Sequence, residues 1–386
     1  MQPLPVREAQ AFFEPQWGSL QQGCMQVVYV GARGGGGFRQ RRGGGGGVAQ
    51  SAAGHDATVQ GTDTDAAVSR SSAVGLGYLD DPFAQYFVQN AVGPSSRRLP
   101  IINRGTYTRT AGLDVLVDRF LGVADGSQRQ QQQGQEPLQR QIISLGAGTD
   151  TRSLRLLNRH GAAGIVYHEI DFPLICAKKL NIVKATPALR NLLTDPQVED
   201  DGSWQCSTPN NGRFWCHGLD LRKLTSQQQP DASVDIKGLR TDIPTLIISE
   251  CCLCYLQVSE AKSVTKWFSD RIPSLGIVIY EPTKPDDPFG KTMISNLAAR
   301  SISMPTLSIY RQPADQDTRL RDAGFEKARH MTVKDIWSQW VAPEEKERVD
   351  RLEGLDEVEE WDLLAGHYVV AWAWRGLGFE PWENLR

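Results

Sequence analysis

No run of about 18 apolar residues occurs in this chain, so no helical membrane span is expected. Excess charge is missing too. With 42 Lys+Arg against 45 Asp+Glu the formal net charge is −3, which removes the electrostatic ground for expecting a nucleic-acid partner. There is no internal repeat, which excludes a solenoid or a propeller. The first residues carry no charged-then-apolar leader pattern. The seven cysteines are an odd number and three crowd into Glu250-Cys251-Cys252-Leu253-Cys254, which suits reduced thiols in the cytoplasm better than a disulfide framework. Cys251 and Cys254 form a Cys-x-x-Cys pair without a second pair at zinc-ligand spacing, so no metal is expected.

What is present is unevenly spread. Residues 1–60 include the glycine runs Gly34–Gly37 and Gly43–Gly47, broken by Phe38, Arg39, Gln40, Arg41 and Arg42. Such a segment has too little apolar surface to offset its ordering entropy, and it reads as a disordered arm. Its function is either a weak RNA contact or a bare spacer. From residue 61 onward a single domain is expected. Asp63-Thr64-Asp65 can cap a helix through Ala66, Ala67 and Val68, and the periodic Leu113, Leu116, Val117, Phe120 and Leu121 predict a second helix over Thr106–Leu121, the two forming a helical lid over 61–125. A glutamine-rich loop follows at 126–137.

From 138 to 283 short apolar runs alternate with helical stretches. Strands are expected at Gln141–Leu145, Ile165–Ile170, Arg213–His217, Thr245–Ser249 and Gly276–Tyr280, with helices at Leu154–Asn158, Pro173–Ala185 and Ser259–Arg271 between them. Two later strands, Ala328–Met331 and His367–Trp374, complete a mostly parallel seven-stranded α/β sheet of Rossmann-like type.

The first strand runs into Gly146-Ala147-Gly148-Thr149-Asp150-Thr151-Arg152. Gly146 permits a sharp turn, and Gly148 lets a ligand approach the backbone. Ligands of open α/β sheets bind beyond the carboxyl ends of the strands, and each end here carries an acid. Asp171 closes the second strand about 23 residues after Gly148, the spacing at which a carboxylate holds ribose hydroxyls. Asp220, followed by Leu221, closes the third and suits an adenine amino group, and Glu250 closes the fourth. Each alone would be an ordinary capping or turn residue; the set of three is specific. A nicotinamide cofactor would need a third glycine and a loop hospitable to pyrophosphate. Asp150 makes the loop acidic, which a sulfonium-bearing ligand tolerates, so S-adenosylmethionine (SAM) is the expected cofactor.

Four motifs together resemble the leucine carboxyl methyltransferase family: Asn103-Arg104-Gly105-Thr106-Tyr107, the loop Leu145–Arg152, Glu169-Ile170-Asp171-Phe172-Pro173, and Glu250-Cys251-Cys252-Leu253-Cys254-Tyr255. The run from Gly61 to Phe83 is similar to fungal members, and the likeness extends to about Arg375. The resemblance implies a class I SAM-dependent methyltransferase, monomeric, cytoplasmic with a nuclear pool, acting on the C-terminal leucine carboxylate of the type 2A protein phosphatase catalytic subunit. It implies cofactor contacts from Arg70 (where the family has lysine), Arg104, Gly146, Asp171, Asp220, Leu221 and Glu250. It also implies a substrate insertion at 284–313 with a helix over Phe289–Arg300, before a C-terminal part at 314–386.

An α-carboxyl has a pKa of about 3.3–3.7, so such a nucleophile is ionised at neutral pH and needs no base. Arg104 and Tyr255 are then the expected catalytic residues, holding the incoming carboxylate through a guanidinium fork and a hydroxyl. The alternatives are a salt bridge for Arg104 and core packing for Tyr255. His168 and His217 read as strand residues. Rival functions are methylation of a small carboxylic acid, methylation of a modified tRNA, and a phosphatase-binding protein with a vestigial pocket. Retention of Gly146, Gly148, Asp171, Asp220 and Glu250 opposes the last.

Overall fold

The structure is a computed structural model. It describes residues 52–88, 97–122, 139–159, 164–208, 212–225 and 235–385. The glutamine-rich loop and residues 1–51 of the expected arm lie outside them.

A nine-stranded sheet organises the chain: β1 (Arg140–Leu145), β2 (Ile165–Asp171), β3 (Thr194–Val198), β4 (Trp204–Ser207), β5 (Arg213–Gly218), β6 (Thr245–Glu250), β7 (Leu275–Pro282), β8 (Lys327–Thr332) and β9 (Tyr368–Arg375). Their spatial order is β3-β4-β5-β2-β1-β6-β7-β9-β8. Strands β5, β2, β1, β6 and β7 run parallel. The flanking pairs β7–β9, β8–β9, β4–β5 and β3–β4 are antiparallel. The seven expected strands are all present, but the sheet is wider than expected and has as many antiparallel as parallel pairs. The addition is the hairpin β3–β4. Its outer strand is mostly exposed and holds Pro196, which lacks a backbone donor and is tolerated because this strand is an edge. The register shifts between Thr194 and Gln197, and Asp195 takes a positive φ of 49°. Without a period-two apolar pattern, the segment carried no strand signal.

Both faces of the central strands are buried, which is why they read as continuous apolar runs. Ile142, Leu246, Ile248, Val278, Val370 and Trp372 face one core. That core is covered by α2 (Pro100–Leu121), α3 (Arg152–Asn158), α4 (Pro173–Ala185), α5 (Pro187–Leu192), α9 (Val333–Gln339) and α11 (Val358–Gly366). Ile143, Ile247, Ile277, Ile279, Ala371 and Ala373 face the other, under α6 (Val258–Ser269) and α8 (Asp315–Asp322). The helices begin where local chemistry allows. Pro100 and Pro173 open α2 and α4, where a missing N–H costs nothing. Gln257 and Glu260 cap α6 reciprocally. Gly122, in the left-handed region, ends α2.

Two further helices, α7 (Pro288–Ala299) and α10 (Pro343–Leu352), decorate the C-terminal half, α7 within the expected insertion. The N-terminal helix α1 spans Ala52–Gly75, so residues 52–60 are helical and not part of a disordered arm. Its composition is poor for a helix, with Gly54, Gly61 and several Thr and Ser residues. Tertiary contacts supply what propensity does not. His55 bonds Ser303, and Asp56 pairs with Arg222. Val59 packs on the Tyr255 cluster. Asp63 consequently lies in mid-helix rather than at a cap.

Candidate active site

A cavity of about 640 Å³ opens at the carboxyl ends of β1, β2, β5 and β6, where the sheet rule places a ligand. Its floor is Ser144–Asp150, which turns off β1 through Gly146 (φ 61°) and Gly148 (φ 48°). Both positions need glycine on conformation alone. A Cβ at Gly148 would also lie 2.5 Å from Asp63 Oδ1, and one at Gly146 2.8 Å from Cys252 Sγ.

The acids expected at the strand ends converge here. Asp171 accepts the backbone N–H of Gly148 through Oδ2 and of Phe172 through Oδ1, both at 2.7 Å. Burial pushes its pKa up to about 6, against those two hydrogen bonds. Asp220 and Leu221 line the cavity on the far side of the Gly146–Asp150 turn. Arg222 bridges Asp220 (2.7 Å) to Asp56 of α1 (2.6 Å). Glu250 closes β6 and faces Arg109, with Nε 2.8 Å from Oε1. Asp150 is not a bare charge. Burial acts to raise its pKa, but Arg152 and Arg70 outweigh it and hold the carboxyl well below the usual range. Arg70 lines the cavity while reaching Asp81 (3.4 Å) and Asp150 (3.5 Å). Tyr255 also lines the cavity, with its ring packed among Met293, Leu297, Ile302 and Leu307.

Arg104 is not in the cavity, and this corrects the expectation for it. Its guanidinium lies over Trp337 at 4.7 Å and Trp361 at 5.7 Å, and it pairs with Asp350. The side chain that α2 delivers is Arg109. The cavity-facing residues of α2 are Ile102, Gly105, Thr106 and Arg109, a stripe at i, i+3, i+4 and i+7. Five positions on a helix turn a side chain by roughly 140°, so Arg104 and Arg109 cannot share that face. The stripe has helical spacing in the sequence, but spacing alone does not say which face of α2 meets a cavity.

The other residues missed belong to α1. Asp63 Oδ1 accepts the Thr149 N–H at 2.6 Å, and Oδ2 sits 3.3 Å from Lys178 Nζ. Asp56 and Asp63 are seven residues apart, two helical turns, and both face the site. His168 and His217 bond one another at 3.0 Å inside the sheet, outside the cavity. Burial lowers the pKa of His168 far below its ordinary value and that of His217 to about 4, so both are neutral. No cluster of metal-binding side chains occurs among the described residues.

Eight carboxylates and three guanidiniums line the cavity. An acid-rich wall opposes a pyrophosphate and favours a ligand with positive charge. Glycine loop, ribose-spaced carboxylate and acidic wall therefore fit SAM. Of the lining residues, the Gly146–Gly148 backbone, Asp171, Asp220, Leu221 and Glu250 are the ones that could hold it. Comparison with known proteins agrees. The sequence model of the family described as leucine carboxyl methyltransferase matches residues 58–269. Leucine carboxyl methyltransferase 1 of Emericella nidulans is 45% identical over 374 residues, covering 92% of this chain and 95% of that protein. The protein of the same name from Schizosaccharomyces pombe is 37% identical, covering 81% and 93%. A tRNA wybutosine-synthesizing protein 4 from Rattus norvegicus is 32% identical, covering 83% of this chain but 44% of that protein. The chain is a SAM-dependent methyltransferase and belongs to the leucine carboxyl methyltransferase family.

Proposed function

We propose that this enzyme esterifies the α-carboxylate of the C-terminal leucine of the type 2A protein phosphatase catalytic subunit, in the cytoplasm. The observation that carries the reading is Arg109. It is a guanidinium in the cavity wall, beside Glu250 and over the Tyr280 ring at 5.4 Å, in a wall that also carries Ile102, Trp361, Leu364 and Ala365. A cation set in an apolar pocket complements a leucine that ends in a carboxylate. Arg109 pairs with Glu250 through Nε at 2.8 Å, and its fork of NH groups is the part that can meet a second acid. The names of the fungal relatives specify a leucine carboxyl group. Six free cysteines among the described residues support a reducing compartment.

Bound SAM supplies an electrophilic methyl group on a sulfonium. The chain's own residues do the rest by placement. Arg109 orients the incoming carboxylate, Tyr255 borders it, and Glu250 fixes Arg109. The α1 wall excludes water. No group in the cavity has to take a proton, because the nucleophile is already ionised.

The test is incubation with methyl-labelled SAM and phosphatase catalytic subunit, with and without its terminal leucine. Label released by mild base is expected from the intact subunit alone. Equal labelling of the truncated subunit, or labelling of tRNA in its place, overturns the reading.

A further inference from the structure

We propose that Cys251 and Cys254 are a peroxide-sensitive dithiol in the wall of the active site, and that closing their disulfide switches methyl transfer off. Cys251 directly follows Glu250 and lines the cavity, so a small oxidant can reach it. Its backbone is held in the left-handed region, with φ 49°. Cys254 is 1% exposed and belongs to the buried cluster of Met293, Leu297, Ile302 and Leu307, against which Cys251 packs. Cys251 and Arg109 line the same cavity, on either side of Glu250, which pairs with Arg109. Cys252 also borders the cavity, but its sulfur lies against Gly146 on the floor. Thus one cysteine faces the cavity and the other lies behind it in the same cluster, three residues along the chain: the arrangement of an attacking and a resolving thiol.

The Cys251 thiolate attacks a peroxide oxygen. The O–O bond breaks, and hydroxide leaves with the thiol's proton as water, giving a sulfenic acid. The Cys254 sulfur then displaces the sulfenic oxygen, which departs with the Cys254 proton as a second water. Sulfur loses two electrons, and the peroxide gains them. The new bond spans the segment between Glu250 and Tyr255, two cavity residues. Drawing Cys251 toward Cys254 moves Glu250 off Arg109, and a strained left-handed residue lies at the pivot.

The experiment treats the whole enzyme with hydrogen peroxide and follows intact mass, fragment mass and methylation, each protein scaled to its own untreated rate. Expected are a loss of about 2 Da mapped to a Cys251–Cys254 link, a fall in activity of tenfold or more in parallel with it, and recovery with dithiothreitol. Cys254→Ser should keep its untreated activity, because this thiol lies behind the wall. Under peroxide it should show no such mass loss, and over-oxidation that dithiothreitol does not reverse. The proposal fails if wild type keeps both thiols while it loses activity. It also fails if the link forms without loss of activity, or if Cys254→Ser is inactivated as fast as wild type and recovers equally.

Discussion

Arg109 and Arg104 show how one helix separates a reactant's partner from a structural cation. Arg109→Ala removes the group that would orient the carboxylate. Methyl transfer should fall by about a hundredfold or more, with little change in SAM affinity. Arg104→Ala should do the reverse. It strips a guanidinium from between Trp337 and Trp361 and leaves Asp350 unpaired. A loss of about 1–3 kcal/mol of stability is expected, with chemistry retained. Melting curves and single-turnover rates on both variants decide this, and an inactive but stable Arg104→Ala would reverse the assignment. Asp171 supplies a second residue-scale prediction. Its carboxyl is pushed up to about 6 by burial, so it is ionised at pH 7 and takes up a proton as the pH falls through 6. Only the ionised form offers all its lone pairs to ribose hydroxyls. SAM affinity measured calorimetrically should therefore be full at pH 7.5 and weaken below 6. The ligand-free fold gains from this one group in the same interval, because protonation relieves a buried charge. Asp171→Asn should bind weakly at every pH, with the slope gone.

At the scale of elements, α1 and the Gly146–Asp150 turn act as one unit. Gly148 has no room for a Cβ because Asp63 stands against it, and Asp63 is there because α1 crosses the turn. Gly148→Ala should weaken SAM binding by about tenfold or more, through φ strain and displacement of Asp63. Asp56→Ala breaks the contact through which α1 reaches Arg222 and Asp220. Both partners are roughly a quarter exposed, so the loss in SAM affinity should be only a few-fold at low salt and should shrink at high salt. A salt-independent effect would mean that Asp56 acts by packing. The same tertiary contacts explain why residues 52–60 are helical. Ala52, Ala53 and Ala57 favour a helix, but Gly54, Gly61, Thr58 and Thr62 counter them, so local propensity alone did not fix one. The strand ends were easier to anticipate, since β1, β2, β5, β6 and β7 are apolar runs bounded by turns. Strand β3 was invisible because an edge strand needs no apolar face, and β4, with only Trp204 and Cys206 turned inward, is too short to show a period.

Across the whole molecule, the pH behaviour of rate and stability should separate. Turnover of bound reactants should be flat from about pH 6.5 to 8, because a C-terminal carboxylate stays ionised throughout and needs no base. His168 and His217 are absent from the cavity and held neutral. Single-turnover rates at saturating cofactor test this, and a limb centred near pH 6.5 would contradict it. Stability should not be flat. Each of these histidines has a folded pKa below its unfolded value, so the stability it lends is complete above pH 6.5 and is lost as the pH falls toward 4. Asp171, Glu169, Asp118 and His330 have raised pKa values and act in the opposite sense. The contribution of the pair should therefore appear as a smaller loss of melting temperature from pH 7 to pH 5 when His217 is replaced by Asn.

What the sequence determined by itself is what period and punctuation encode: the alternation of central strands and helices, the glycine turn after β1, and an acid at each strand end. These are short-range patterns, and a parallel sheet turns them into a site automatically, because its carboxyl ends lie side by side. Family likeness then added the chemistry. Only the tertiary structure decided which face of α2 meets the cavity, and hence that Arg109 and not Arg104 lies there. Only it turned an unpromising stretch into α1 and set Asp56 and Asp63 against the cofactor turn. It also neutralised Asp150 with Arg70, 80 residues away in the chain. Those outcomes rest on burial and on pairings between distant charges, and their energies exceed any local propensity.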